Sequence, residues 1–336
     1  MKAFSKFGFI LAALLGLAGC RSVQTPAMQE SPLRLGLQAW TFRSLTFSDT
    51  LKTANRLGIH YLQAYPGQRL GGDLAGNFHH TMDAATQAKV LALLKGEDVK
   101  LVSYGVVGGR DAAEWRQIFV FAKAMGMDSI ATEPKPETLA EIEPLSREFG
   151  IAISLHNHPT PSIYANLDTA LTAIKPFGSN VGLCADTGHW VRSGYDPVEN
   201  LHRAEGRIVS VHFKDLNEVN VKGAHDVPWG TGASNAAGQL AELRWQHFGG
   251  VVLVEYEHNT PDLEKNVGLC VEYFNRAMAA PLADLLRGNV VPPRYTRTPE
   301  KLWAGKRGKD SLRWPVAPPA PVVPVSAPAV PAAAAP

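Results

Sequence analysis

The chain of 336 residues carries 33 lysines and arginines against 31 aspartates and glutamates. That near-balance argues against a nucleic-acid partner, which would demand a basic stripe. Three cysteines are too few for a disulfide framework, so stability must come from a buried core, and about 250 residues of patterned sequence are ample for one.

The first twenty residues, MKAFSKFGFILAALLGLAGC, place Lys2 and Lys6 before an apolar run that ends on Leu17-Ala18-Gly19-Cys20. A run this short, charged on one side only, is expected to be a secretory signal over residues 1–19 and not a membrane span. The small residues before the cysteine resemble the lipobox of bacterial lipoproteins. That resemblance implies cleavage before Cys20, lipidation of Cys20, and an exported protein anchored to a membrane and facing the periplasm. Losing the leader removes two lysines, so 33 basic residues become 31 and the mature chain is close to neutral. Residues 20–32 are expected to be a linker.

Between residues 33 and 280, short β-branched or apolar runs alternate with stretches of helical pattern, the signature of parallel α/β structure. The expected strands are LRLGLQAW (33–40), IHYLQAY (59–65), VKLVSYGVV (99–107), SIATEP (129–134), IAISLHNH (151–158), VGLCAD (181–186), RIVSVHFKD (207–215) and VVLVEYEH (251–258). Each is followed by a helix-like segment, such as SDTLKTANRLG, TLAEIEPLSREFG or GQLAELRWQHFG. Eight such units are what a (β/α)8 TIM barrel requires, whereas a doubly wound open sheet usually has fewer strands. The glycine-rich dinucleotide fingerprint is also missing after the first strand, where AWTFRS stands. Residues 281–313 are expected to form a C-terminal extension. The Pro/Ala-rich stretch 314–336 has no periodicity and is expected to be an extended, disordered tail.

Barrels of this kind build their sites at the C-terminal ends of the strands. Those ends hold Trp40, Tyr65, Glu133, His156 with His158, Asp186, His212 with Lys214, and Glu255 with Glu257. Alternation sorts them by face. In RIVSVHFKD the apolar Val209, Val211 and Phe213 share the side that packs on helices, which points Ser210, His212 and Lys214 into the barrel. The same period turns Glu255 and Glu257 inward, opposite Val252, Val254 and Tyr256, and turns Cys184 and Asp186 inward together, so Cys184 reads as a small core residue.

Ionised carboxylates directed at one axis need a counter-charge, since burying each alone costs several kcal/mol. Either protons and Lys214 neutralise them, or a cation sits among them. Glu133, Asp186, His212 and Glu255 offer mainly oxygen with one imidazole, a set suited to one divalent metal ion, Mn, Mg or Co ahead of Zn. Asp186 also admits a plainer reading as the N-cap of the next segment, a place that Thr187 could take instead. GTGASN (230–235) reads as a phosphate cradle or simply as a turn. HHT (79–81) lies in a loop after the second strand. Trp40 and Tyr65 are placed either to stack on the flat face of a ligand or to plug the barrel mouth.

The strings HNH, DTGHW followed by RSGYDPVENL, VHFKD, GTG and VEYEH, in this order, resemble the sugar phosphate isomerase/epimerase family with the xylose isomerase-like barrel. The resemblance covers residues 33 to 280. It implies a metal held by Glu133, Asp186, His212 and Glu255, with Glu133 and Glu255 also moving protons on opposite sides of a bound ketose. It implies that His189 assists substrate or ligand and that Lys214 contacts substrate; His156, His158, Trp40, Tyr65 and Glu257 join the candidate substrate-binding set. Relatives working on free ketoses commonly have an arginine after the strand-seven histidine, where this chain has HFKD. Glu255 is preferred to Glu257 as ligand because it lies deeper in its strand.

The function expected on this basis is metal-dependent isomerisation or epimerisation of a sugar by proton transfer next to a carbonyl. A lyase or hydratase acting on 3-keto-glycosides would use the same site, and export favours free or glycosidic sugars over sugar phosphates. An endonuclease-like phosphodiesterase would need further histidines and a basic groove. A sugar-binding lipoprotein without activity would have little use for the carboxylate set.

Overall fold

The computed structural model describes residues 33–295; the leader, Cys20, the linker, most of the extension and the Pro/Ala tail lie outside them. In chain order the strands are β1 (Arg34–Gln38), β2 (Tyr61–Ala64), β3 (Arg69–Gly71), β4 (Leu74–Asn77), β5 (Lys100–Tyr104), β6 (Ser129–Thr132), β7 (Ala152–His156), β8 (Val181–Asp186), β9 (Ile208–Phe213) and β10 (Val251–Val254). Eight of them close into a barrel in the order β1-β10-β9-β8-β7-β6-β5-β2. Every barrel pairing is parallel, and β1 meets both β10 and β2, so no edge is left open. Each barrel strand falls inside one of the eight segments expected from the sequence. The antiparallel hairpin β3–β4 was not expected; it is inserted between β2 and the next helix, and Gly71 and Gly72, both in the left-handed region, supply its turn.

Among the described residues ten α-helices surround the strands: α1 (Phe47–Arg56), α2 (Ala84–Gly96), α3 (Ala112–Ala124), α4 (Pro136–Phe149), α5 (Leu167–Ile174), α6 (Thr187–Arg192), α7 (Pro197–Arg203), α8 (Ala236–Trp245), α9 (Leu263–Ala279) and α10 (Leu282–Leu286). Their starts are written locally. Thr46 Oγ1 accepts from the Asp49 amide and donates to the Asp49 carboxylate, closing a reciprocal cap. Asp83 and Asp111 likewise accept from the amide three residues on, each such cap contributing about 1 kcal/mol. Gly150, left-handed at φ +64, ends α4.

The two strand faces differ as alternation predicts. Val211, Phe213, Val252, Val254 and Tyr256 are buried in the main apolar cluster with helical residues such as Leu240, Leu243 and Val267. Inside the barrel, Val102, Val251 and Leu253 form a small separate apolar cluster. A polar layer also crosses the interior, where Ser154 and Ser210 are hydrogen-bonded at 3.0 Å. The charged residues from the ends of β8, β9 and β10 complete the interior. The packed structure continues past residue 280: Leu285 and Val290 are buried in the main core, and Arg276 donates to the Val291 carbonyl. Among the described residues no helix is long and apolar enough to cross a membrane.

Candidate active site

Asp186 ends β8 with both of its oxygens employed. Oδ1 accepts from the His189 amide at 2.8 Å and caps α6. Oδ2 faces the barrel axis, 3.6 Å from His156 Nε2, 3.4 Å from His189 Nε2 and 3.8 Å from His212 Nδ1. The cap reading and the ligand reading are therefore not alternatives, because a carboxylate has an oxygen for each. Thr187 does not cap; its hydroxyl bonds the His212 carbonyl at 3.4 Å and accepts from the Lys214 amide. Asn157 fastens the neighbouring strand end by donating to the Asp186 carbonyl at 2.9 Å and accepting its amide at 2.8 Å.

One donor atom each from His156, Asp186, His212 and Glu255 lies within 4.8 Å of the others, and all four residues are buried. The fourth member beside Asp186, His212 and Glu255 is thus His156 from β7, where the sequence had suggested Glu133. Glu133 belongs to an adjoining group with His156 and His158. Its carboxylate accepts from His158 Nδ1 and from Ser162 Oγ.

Lys214 is fully buried, and its ammonium donates to both Asp186 and Glu255, with Glu257 3.7 Å away. Burial alone would raise both carboxyls, but His189 and Lys214 hold Asp186 well below the usual carboxylate range. Lys214 and His212 likewise hold Glu255 at about 2. Against the opposing effect of burial, the same carboxylates keep the Lys214 ammonium charged. His156 and His189 are pushed down, chiefly by burial. His212 is held well above its usual value, burial notwithstanding, by Cys184, Glu255 and Asp186.

Two carboxylates and two imidazoles at this spacing are a donor set that fits a divalent cation. The nitrogen that His156 turns toward Asp186 is Nε2, at 3.6 Å, and His212 Nδ1 is buried 3.0 Å from Glu255 Oε2 without hydrogen-bond geometry to it. Buried polar atoms without partners are uncommon in folded proteins and call for an explanation such as an ion.

A cavity of about 320 Å3 opens over the cluster, with Trp40, Tyr65, His158, His189, Glu255 and Glu257 among its walls. Trp40, 41% exposed, meets Tyr65 edge-on at 5.0 Å, and the Arg43 guanidinium lies 5.4 Å from the Trp40 ring. Glu257 sits at the wall, held by Arg192 at 2.8 Å. Arg192 also contacts His189 Nδ1 at 3.0 Å and Asp226 at 3.5 Å, and burial pushes the Asp226 carboxyl up to about 7. His158, its side chain 48% exposed, also lines the cavity, its ring 5.3 Å from that of His189. The hydrogen bond to Glu133 raises the His158 imidazole against the effect of burial. A larger depression of about 610 Å3 lies beside α10, lined by residues such as Arg276 and Asp284, away from this cluster.

Several structural partners escaped the sequence reading. Arg192 lay in the quoted RSGYDP, yet nothing local tied it to Glu257. Gln38 and Gln63 occupy the same place in a tripeptide, LQA, found where β1 and β2 finish; an amide repeated at an inward position was the available signal. The GTG loop is a cradle whose occupant is internal: the amides of Gly230, Gly232 and Ser234 all donate to the Asp215 carboxylate.

Residues 51–276 match the sequence model of the xylose isomerase-like TIM barrel. The chain belongs to this family. A crystal structure of an uncharacterized protein from Parabacteroides distasonis ATCC 8503 shares 30% identity at a TM-score of 0.61, covering 73% of this chain and 99% of that one. The xylose isomerase-like barrel also superimposes on a crystal structure of IolI protein with a bound zinc atom, at 16% identity and a TM-score of 0.57, over 75% of this chain and 98% of the other. At that identity the likeness is one of fold. Among curated proteins, an inosose dehydratase of Lacticaseibacillus casei is 35% identical over 82 residues, which is 24% of this chain and 27% of the relative. The match thus spans about a quarter of that relative's length.

Proposed function

We propose that the protein is a metal-dependent dehydratase of keto-sugars or keto-polyols, which removes a proton from the carbon beside a carbonyl and expels a hydroxyl from the next carbon. The observation that carries this reading is the pairing of His158 with Glu133, with His158 at the wall of a cavity that is also lined by His156 and Glu255 of the buried His156, Asp186, His212 and Glu255 cluster. The named activity of the inosose dehydratase relative supports the same outcome.

His156, Asp186, His212 and Glu255 would hold the cation, and their two imidazoles favour Mn, Co or Zn over Mg. When bound, the cation supplies Lewis-acid polarisation of the substrate carbonyl. Glu133 accepts from His158 Nδ1, so Nε2 is the ring nitrogen left to act as base, the orienting role a carboxylate plays toward histidine in hydrolytic triads. His158 takes the proton from the α-carbon, and the C–H electron pair becomes the new C=C bond. The C–O bond at the β-carbon breaks with its electrons on oxygen, and the proton on His158 goes to that oxygen, which leaves as water. Trp40 and Tyr65 offer the substrate ring an apolar face, and Lys214 keeps Asp186 and Glu255 ionised.

Isomerisation or epimerisation is the second reading, favoured by Glu255 and Glu257 at the same cavity. It requires a base on each face of the substrate, and a carboxylate held at about 2 by Lys214 and His212 is a weak one. Incubating the metal-loaded protein in D2O with ketoses, keto-glycosides and keto-inositols separates the readings. Dehydration gives a product lighter by one water that absorbs as a conjugated carbonyl. A product of unchanged skeleton carrying one solvent deuterium would instead establish the isomerase, and no turnover across the panel would remove both.

A further inference from the structure

Inside the barrel a short chain of side-chain amides runs from the backbone at the end of β1 to the imidazole on β9, and its hydrogen-bond directions can be read without assumption. Gln38 Oε1 accepts from the Trp40 backbone amide at 3.1 Å, and Gln38 Nε2 donates to the Gly105 backbone carbonyl at 3.1 Å. A backbone N–H only donates and a carbonyl only accepts, so these contacts fix which end of the Gln38 amide is oxygen. Gln38 Nε2 also meets Gln63 Oε1, and that atom must therefore be an acceptor. The other end of Gln63 donates to Ser103 Oγ at 2.9 Å, and Ser129 Oγ donates to the same oxygen at 3.0 Å. His212 Nε2 contacts Gln63 Oε1. Facing an acceptor, Nε2 must carry a hydrogen.

The consequence falls on the other ring nitrogen. His212 Nδ1 is 3.0 Å from Glu255 Oε2 and 3.8 Å from Asp186 Oδ2, with hydrogen-bond geometry to neither. We infer that Gln63, itself oriented by Gln38, is a positioning residue that fixes the Nε2–H tautomer of His212 and so presents the Nδ1 lone pair to a divalent cation among His156, Asp186 and Glu255. The value of that cation rests on the proposed function; the tautomer does not. Both glutamines are buried, at 1% and 0% exposure; Gln38 borders the cavity, whereas Gln63 is not among its walls and meets only other side chains. A metal-bound histidine needs its second nitrogen tied to an acceptor, and losing such a tie typically costs 10- to 100-fold in metal affinity.

The test uses Gln63→Met, which keeps the volume and removes the acceptor, and Gln63→Glu, which keeps an acceptor facing both His212 and Gln38. In the metal-free protein, above the pH at which His212 gives up its second proton, long-range 1H–15N spectra should place the remaining proton on Nε2. In Gln63→Met it should move to Nδ1, where Glu255 accepts it. Titration with Zn2+ and Mn2+ against a chelating dye should show Gln63→Met weakened about 10- to 100-fold and Gln63→Glu within a few-fold of wild type. Circular dichroism serves as the check that both variants are folded. A wild-type proton on Nδ1, or a folded Gln63→Met that binds metal as tightly as wild type, overturns the inference. A wild type that binds no divalent ion overturns the metal reading, and the tautomer spectra then decide the relay alone.

Discussion

The aliphatic stem of Lys214 lies against the bare backbone of Gly188: a Cβ added there would come within 2.5 Å of Lys214 Cδ and 2.6 Å of its Cβ. The glycine of DTGHW thus lets the first turn of α6 close over a buried lysine whose ammonium joins Asp186 to Glu255. Gly188→Ala is expected to displace that lysine. Lys214→Met leaves two buried carboxylates without their cation and should destabilise the metal-free protein by about 3–5 kcal/mol. Because a divalent ion can replace the lost charge, added Mn2+ or Zn2+ should restore a larger part of that loss in the variant than it adds to wild type. Urea unfolding with and without metal measures both quantities.

The placement of Glu133 with His158, in a group that shares only His156 with the cluster of four, makes a direct comparison available. His156→Ala and Asp186→Asn should each lose most of the bound metal. Glu133→Gln should retain it and lose turnover instead. Metal analysis after dialysis, set beside activity, reads the two losses separately, and metal loss from Glu133→Gln equal to that from Asp186→Asn would return Glu133 to the ligand set.

His158 is raised above the ordinary histidine value of about 6.5 by its hydrogen bond to Glu133. Its base form therefore accumulates only as pH rises through that raised value, and kcat/KM should climb along a limb lying above pH ~6.5. Glu133→Gln removes the acceptor charge, so the limb should move to lower pH while the plateau falls. His158→Gln should cost about 10²- to 10⁴-fold in turnover. A limb that stays in place when Glu133 is changed would separate it from His158.

Asp215 accepts three backbone amides from the GTG loop, and a Cβ on Gly232 would lie 2.3 Å from its Oδ1. Asp215→Ala strands those donors in a buried turn and should cost on the order of 3 kcal/mol. Gly232→Ala should destabilise by forcing the carboxylate out of its nest. The urea midpoint reports both, and phosphate should have no effect on wild-type stability because the cradle is already filled.

We propose that residues 1–19 direct export and that Cys20 carries the lipid. Expressed in a bacterial host, the full chain should fractionate with membranes and incorporate labelled palmitate, and Cys20→Ala should abolish the incorporation. A wild-type chain that takes up no label would remove the anchor.

The sequence by itself determined the barrel and the face each strand turns inward, because both follow from local periodicity: alternation of two along β9 and β10 separates His212 and Lys214 from Val211 and Phe213 whatever the neighbours are. Helix starts were equally local, as at Thr46 and Asp49. The hairpin β3–β4 was legible only in its glycines, since three- and four-residue strands have too little pattern to stand out. Which inward side chains meet was decided by closure of the barrel. Gln63 and His212 are 149 residues apart in the chain, and Arg192 and Glu257 are 65 apart, so no spacing rule links them. The grouping of His156 with Asp186, His212 and Glu255, and of Glu133 with His156 and His158, has the same origin. Alternation sends the polar strand-end residues inward as a set, and only the closure of the barrel and the nearest hydrogen-bond partner, here His158, decide which of them meet.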